Sequence, residues 1–218
     1  MHSVTLQGEC DPIRVGKILC LARNYAAHAQ ELGNEVPADP VLFSKPASSI
    51  IKEGADVIIP PFSRDCHHEA ELAVLIGAVG KNVLPREAMS LILGYGVAID
   101  MTLRDTQTQL KDKGYPWDLA KGFDTSCPLS EFVPAATVVD PHQLQICLEV
   151  NGVLRQDGNT NCMIQRIPEI LAFISCAFTL EPGDIVLTGT PAGVGPVVPG
   201  DRMRAWISEV GSIEVGIK

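Results

Sequence analysis

The chain reads as a β-dominated α+β fold on three observations. Its 19 Gly and 16 Pro are spread through all 218 residues, as expected of many short strands joined by tight turns. Between them recur short apolar runs rich in β-branched residues, whereas only four segments have helical composition or spacing. No repeat, linker or low-complexity tract divides the sequence, and an apolar fraction of 46% is enough to bury a substantial core. One catalytic domain over 1–218 is expected, with 1–14 as a short N-terminal extension.

Taken in order, residues 15–21 predict a strand that runs into Ala22, Arg23 and Asn24. Residues 25–32 then have helical composition, ended by Gly33. Further strands are predicted at 41–44, 57–59, 69–76, 96–100, 145–150, 184–187 and 202–207 from β-branching, alternation or bounding turn residues. The remaining helices are predicted at 85–93, at 103–113 directly after Asp100, and at 164–178, where the apolar spacing is amphipathic.

Charge narrows the function classes. A net charge of -9 with no Lys/Arg cluster repels phosphate backbones and anionic lipid surfaces, which argues against nucleic-acid or membrane binding. Residues 1–10 show no targeting pattern, and no apolar stretch reaches the roughly 18 residues that span a bilayer, so a soluble cytoplasmic protein is expected. Seven cysteines, an odd number without a Cys-x-x-Cys pair, argue against a disulfide framework and a thiolate zinc site.

The chemistry gathers around His67-His68-Glu69-Ala70-Glu71-Leu72-Ala73-Val74-Leu75-Ile76. In a strand Glu69 and Glu71 face the same way, with Cα atoms roughly 6.6 Å apart, close enough to share a cation. Acids of an edge strand paired with Lys or Arg are the competing reading. The continuation Leu72 to Ile76, which must enter the core, favours the cation. A second run, Gly94 to Ile99, ends in Asp100 and can bring a third carboxylate. Three such oxygens suit Mg²⁺, Mn²⁺ or Ca²⁺ rather than zinc. Adjacent residues of a strand face opposite ways, so at most one of His67 and His68 could join the two glutamates, and both are left out of the ligand set.

His28 and Glu31, three apart on a helix, form either a water-activating pair or an incidental pair on a solvated face. Arg23, Lys45, Arg104, Gln107 and Lys121 flank Gly, Pro or apolar runs, where they serve an anionic ligand or simply decorate the surface. Gly189-Thr190-Pro191-Ala192-Gly193-Val194-Gly195 is a Gly-rich turn whose amides and Thr190 hydroxyl suit a carboxylate. It lacks the Lys of a phosphate-binding P-loop.

In sequence order, Arg23-Asn24-Tyr25-x-x-His28-x-x-Glu31, Phe43-x-Lys45-Pro46, His68-Glu69-x-Glu71-Leu72, Asp100-x-x-x-Arg104-Asp105-x-Gln107, Lys121-x-Phe123-Asp124 and Gly189-Thr190-Pro191-x-Gly193-Val194-Gly195 resemble the fumarylacetoacetate hydrolase family. The likeness covers nearly the whole chain and is closest to the short branch with acylpyruvate hydrolases and oxaloacetate decarboxylases. It implies a mixed β-sandwich roll with a few peripheral helices, a homodimer, and a lid helix at about 24–33. By the same resemblance Glu69, Glu71 and Asp100 bind Mg²⁺ or Mn²⁺, and His28 with Glu31 deprotonates water. Lys121 lies beside the metal, while Arg23, Lys45, Arg104, Gln107 and Thr190 meet the substrate's carboxylate and oxo groups. Ala22 departs from the Gly that relatives often carry before Arg-Asn-Tyr.

The function implied is metal-dependent cleavage of the C–C bond of a 3-acylpyruvate, of acylpyruvate or fumarylpyruvate type, with decarboxylation of oxaloacetate at the same site. Isomerisation or decarboxylation of dienoic 2-oxo diacids from aromatic catabolism is the alternative within the family. A metal-binding protein without catalysis is the alternative from another class.

Overall fold

The computed structural model describes residues 2–33 and 35–218. Its main strands are β1 (Ile18–Ala22), β2 (Val41–Lys45), β3 (Asp56–Val57), β4 (Cys66–His68), β5 (Ala70–Ile76), β6 (Ile92–Ile99), β7 (Thr102–Leu103) and β8 (Val133–Pro134), followed by β9 (Gln145–Val150), β10 (Val153–Asn159), β11 (Ile185–Leu187), β12 (Gly195–Val197), β13 (Arg202–Ile207) and β14 (Gly211–Ile217). The helices are α1 (Ala26–Glu31), α2 (Pro85–Ala88), α3 (Arg104–Lys113), α4 (Asp118–Lys121) and α5 (Ile167–Ala177).

Two sheets form a mixed β-sandwich, as expected. The larger runs β8-β6-β5-β11-β1-β2, and the second runs β10-β9-β13-β14-β3. Every residue of β5 is buried because both faces of its sheet are covered. On one face, Leu72, Val74, Ile76, Val97 and Ile99 share a core with Ile146, Leu148, Met203, Ala205, Ile213 and Val215 of the second sheet. On the other, Ala73, Leu75, Ala98, Ile18 and Cys20 pack against Val4, Leu6, Leu129 and Phe132. Burial of each large aliphatic side chain is worth roughly 1.5–3 kcal/mol, so the two cores hold the central strands on both sides. Residues 2–14, expected as an extension, therefore close the second core. Ser3–Val4 pairs antiparallel with Ile13–Arg14, and the Gln7 amide donates to the Phe132 carbonyl at 2.7 Å. Met1 lies outside the described residues.

A small third sheet, β7-β4-β12, sits at the end of the larger one. In β5 and β6 the pairs are Ala70↔Ile99 and Glu71↔Ala98, and in β4 and β7 they are His67↔Thr102 and Cys66↔Leu103. The same two segments thus keep one antiparallel register through both sheets, which sets Glu69 opposite Asp100 at the crossing point. The Asp100 amide donates to the Glu69 carbonyl there at 2.7 Å. Because side chains alternate along a strand, Glu71 and Asp100 project on the face of Ala73 and Ala98, away from the second sheet.

Several elements differ from the sequence expectation. The strand predicted over 69–76 is interrupted, with Glu69 in the gap between β4 and β5. The helix predicted over 85–93 stops at Ala88; a 3₁₀ turn, Met89–Leu91, leads into β6, where Ile92 pairs with Ile76. The helix predicted over 164–178 is shorter, beginning with Pro168 in its first turn, where a missing N–H costs nothing. Strands β4, β7, β8, β10, β12 and β14 lie outside the predicted strands. Of the seven cysteines, all free, Cys20, Cys66, Cys127 and Cys147 are buried and Cys10, Cys162 and Cys176 exposed. Among the described residues no helix is long and apolar enough to cross a membrane.

Candidate active site

The register just described brings Glu69, Glu71 and Asp100 together, with one oxygen of each within 4.8 Å of the others. All three are buried. Lys121, at the end of α4, donates to Glu69 Oε2 at 2.9 Å and to Asp100 Oδ2 at 2.5 Å, and Arg104, at the start of α3, pairs with Glu69 Oε1. Burial alone would raise the Glu69 pKa, but the Lys121 ammonium and Arg104 guanidinium outweigh it and hold the carboxyl well below the usual carboxylate range. Burial likewise disfavours the Lys121 cation, and Asp100 with Glu69 reverses that, so its pKa is raised.

Two oxygens of the cluster are less well served. Asp100 Oδ1 lies 2.8 Å from Lys45 Nζ but has no hydrogen-bond partner. The lysine's protons go instead to the carbonyls of Met101 at 3.2 Å and Ser126 at 3.0 Å, to Ser126 Oγ at 3.0 Å and to the Lys121 carbonyl. Glu71 forms no ion pair among the described residues and accepts only the Gly189 amide, at 2.7 Å. Burial, reinforced by Asp100 and Glu69, holds its carboxyl well above the usual range. An orphaned oxygen and an unpaired carboxyl converging with a third carboxylate are what a divalent cation would satisfy. The donor set is all oxygen, which fits Mg²⁺ or Mn²⁺. His67 bonds Asp65 at 2.9 Å and His68 bonds Gln156 at 3.0 Å, so neither joins the cluster.

The cleft over these carboxylates is lined by Arg23, His28, Arg104, Gln107, Lys121 and Thr190, with Leu32, Phe43 and Trp117 as apolar walls. Lys45, expected against the substrate, is not on this lining; its side chain lies beneath Asp100 and fixes that carboxylate's position. Arg104 Nη1 donates to Gln107 Oε1 at 2.8 Å, which orients both side chains. Arg23 holds a left-handed backbone, φ 58°, a conformation that costs a residue with a Cβ roughly 1–2 kcal/mol. The side chain of Asn24 offsets this locally. It donates to the carbonyls of Gln165 at 3.0 Å and Thr188 at 2.8 Å and accepts from the Gln165 amide at 2.7 Å.

The expected lid helix is α1, and His28 on its buried side faces the cleft. Burial, seconded by Arg104 and opposed by Glu69 and Glu31, keeps the imidazole pKa below its ordinary value, so the ring is neutral at pH 7 and can accept a proton. His28 Nδ1 is 3.6 Å from Glu31 Oε2, too long for a hydrogen bond. Glu31 instead accepts the Gly193 amide at 3.1 and 3.2 Å, tying α1 to the Gly-rich turn. Gly193 has φ +97°, and a Cβ there would lie 2.1 Å from the Arg155 carbonyl, so only glycine fits.

Sequence reasoning missed Gln156. Wholly buried, its Oε1 accepts from the Ala70 amide at 3.0 Å and contacts His68 Nδ1, and its Nε2 donates to Thr190 Oγ1 at 2.8 Å and the Pro191 carbonyl at 3.0 Å. An amide oxygen only accepts, so His68 carries its proton on Nδ1. Gln156 thereby clamps the carboxylate strand to the Gly-rich turn. The signal was absent because β10 is polar and largely exposed, with no alternation. Gln156→Ala strands four buried groups and is expected to destabilise the fold by about 2–3 kcal/mol in urea denaturation. Gln156→Glu keeps the acceptor but loses both donors and faces the Pro191 carbonyl with a buried carboxyl, so it is also expected to melt below the wild type.

A profile of the fumarylacetoacetate hydrolase C-terminal family matches residues 17–218. The Bos taurus protein named mitochondrial oxaloacetate tautomerase FAHD1 is 47% identical over 201 residues, covering 92% of this chain and 91% of its own. The Dictyostelium discoideum mitochondrial oxaloacetate decarboxylase is 46% identical over 193 residues and 88% of each chain. Among solved structures, fumarylpyruvate hydrolase from Pseudomonas aeruginosa in complex with Mn²⁺ and pyruvate aligns with a TM-score of 0.95 at 35% identity, over 99% of this chain and 94% of that one.

Proposed function

The chain belongs to the fumarylacetoacetate hydrolase family, and from that premise we propose that it is a Mg²⁺- or Mn²⁺-dependent enzyme of 2-oxo acids. Its reactions pass through a pyruvate-type enolate: decarboxylation or tautomerisation of oxaloacetate, and hydrolysis of 3-acylpyruvates. The observation that carries this reading is the Glu69, Glu71 and Asp100 cluster at the floor of a cleft whose walls hold a neutral imidazole and a buried ammonium. A divalent ion held by these carboxylates would supply Lewis acidity toward the oxygens of a bound 2-oxo acid.

The residues divide the remaining work. Arg104, Gln107, Arg23 and the Thr190 hydroxyl receive the carboxylate and oxo groups. Lys121 places a fixed positive charge where enolate charge develops, and a donor so placed is typically worth about 3 kcal/mol. In hydrolysis His28 takes a proton from water, whose oxygen bonds to the distal carbonyl carbon. The bond from that carbon to C3 then breaks, its electron pair becomes the pyruvate enolate, and protonation at C3 gives pyruvate and a carboxylic acid. In decarboxylation the same enolate forms when C3 loses CO₂, with no water consumed. Tautomerisation needs only transfer of a proton between C3 and the C2 oxygen. Isomerisation of dienoic 2-oxo diacids uses the same kind of transfer, and the tautomerase name of the bovine relative favours it as the second reading.

The test is to strip the protein with EDTA, reload Mg²⁺ or Mn²⁺, and follow the absorbance of acetylpyruvate, fumarylpyruvate, oxaloacetate and a hydroxymuconate-type diacid. Turnover of oxaloacetate and an acylpyruvate that EDTA abolishes is expected. Turnover of the diacid alone favours the isomerase. Stoichiometric metal binding with no turnover of any substrate supports a non-catalytic metal protein. A homodimer belongs to the same proposal, expected in sedimentation as one species of twice 23.4 kDa.

A further inference from the structure

Beside the cleft lies a second cavity that the proposed chemistry leaves unused. It is lined by Val41, Leu42, Phe43 and Ser44 of β2 and by Tyr115, Pro116, Trp117 and Asp118 ahead of and at the start of α4. Phe43 and Trp117 belong to both linings, so the two spaces adjoin at these side chains. The Lys121 ammonium sits 4.7 Å from the centre of the Phe43 ring, and the Phe43 and Trp117 rings are 6.0 Å apart and tilted by 52°. The carboxylate cluster, Lys121, Phe43 and Trp117 are therefore successive neighbours leading outward.

Size and charge say what the second space takes. The free space of about 40 Å³ in the inner cleft leaves no room for a bulky acyl group, whereas the adjoining outer pocket offers about 320 Å³. A benzene ring is held by a cavity of roughly 150 Å³, so a phenyl group or a six-carbon chain fits the outer one. No Lys, Arg or His lines it among the described residues, and the one carboxylate of its lining, Asp118, repels another.

We propose that this pocket receives the acyl end of the substrate, and that the chain accordingly hydrolyses 3-acylpyruvates with bulky, neutral, apolar acyl groups in preference to those ending in a second carboxylate. The proposal rests on the hydrolytic reading above. It makes Trp117 the residue that sets acyl specificity, through its indole face alone. The Trp117 carbonyl accepts the amides of Ala120 at 2.9 Å and Lys121 at 3.0 Å, and those bonds survive replacement of the side chain.

Initial rates of the full-length, Mg²⁺-loaded protein with acetyl-, hexanoyl-, benzoyl- and fumarylpyruvate test it, with oxaloacetate alongside. One methylene in an apolar pocket discriminates by about tenfold or more, so hexanoyl- and benzoylpyruvate are expected to exceed fumarylpyruvate by at least about tenfold in kcat/KM. Trp117→Ala is expected to lower the benzoyl-to-acetyl ratio of kcat/KM by about tenfold. Asp118→Lys, which gives the pocket a cation at an exposed position, is expected to raise the fumaryl-to-acetyl ratio. A wild-type preference for fumarylpyruvate, or ratios that neither variant moves, would overturn the pocket's role while leaving the hydrolytic reading intact. Turnover of oxaloacetate with no acylpyruvate hydrolysed would overturn the hydrolytic reading and the pocket with it.

Discussion

Asp100→Ala is expected to abolish turnover of oxaloacetate and of acylpyruvates together, lowering kcat by roughly 10³-fold or more, the equivalent of about 4 kcal/mol. Asp100 completes the carboxylate cluster from the strand opposite Glu69, and no neighbouring side chain among the described residues can replace its oxygen. The same substitution leaves Lys45 and Lys121 as buried cations with fewer partners, and breaking a buried ion pair from one side costs about 3–5 kcal/mol. A lower melting temperature is therefore expected as well, which would blur the result if this variant stood alone. Glu71→Gln separates the two effects. Among the described residues Glu71 has no ion pair to lose, and an amide oxygen at the same place still accepts the Gly189 amide. This variant should melt close to the wild type yet bind Mn²⁺ at least about tenfold more weakly by titration calorimetry, with activity falling in parallel. Wild-type Mn²⁺ affinity in Glu71→Gln would remove the cluster from the mechanism.

Much of this centre was legible in the sequence because it depends on alternation. Glu69 and Glu71 stand two residues apart in an extended run and share a face although Glu69 falls in the gap between β4 and β5, and an apolar run ending in Asp100 marks where a strand leaves the core. What alternation cannot give is register. That Glu69 faces Asp100 follows from Ala70↔Ile99 and His67↔Thr102, pairings between residues about 30 positions apart, fixed by packing rather than by local preference. Lys45 shows the same limit. A lysine before proline at the end of an apolar strand reads as a ligand-facing cation, yet burial turns it to the underside of Asp100, where four oxygens hold it. Gln156 and Trp117 carried no local signal at all, since the sequence around each is polar or turn-like and their roles arise only where distant elements meet. The misplaced boundary at Ile92 has a different cause: residues 85–93 have helical composition, but the β-branched Ile92 pairs with Ile76 and joins the sheet.

His28→Ala is expected to divide the two reactions that Asp100→Ala removes together. Hydrolysis needs a base to deprotonate water, and losing a positioned base typically costs 10²–10⁴-fold, so acylpyruvate turnover should fall by about that factor. Decarboxylation of oxaloacetate uses no water, and its loss should stay within about tenfold. The pH profile gives an independent check, because the base works only when neutral. Burial lowers the His28 pKa below its ordinary value, so wild-type hydrolysis should rise with pH through a midpoint on the acid side of about 6.5 and then level off. That acid limb should be missing from the residual hydrolysis of His28→Ala. Glu31→Gln offers the finer comparison. It retains an oxygen for the Gly193 amide but loses the charge that favours protonated His28, so the hydrolytic midpoint should move further toward acid pH while α1 stays tethered to the Gly-rich turn. Equal loss of both activities in His28→Ala, with the acid limb unchanged, would show that the imidazole holds the cleft's shape and that water finds its base elsewhere.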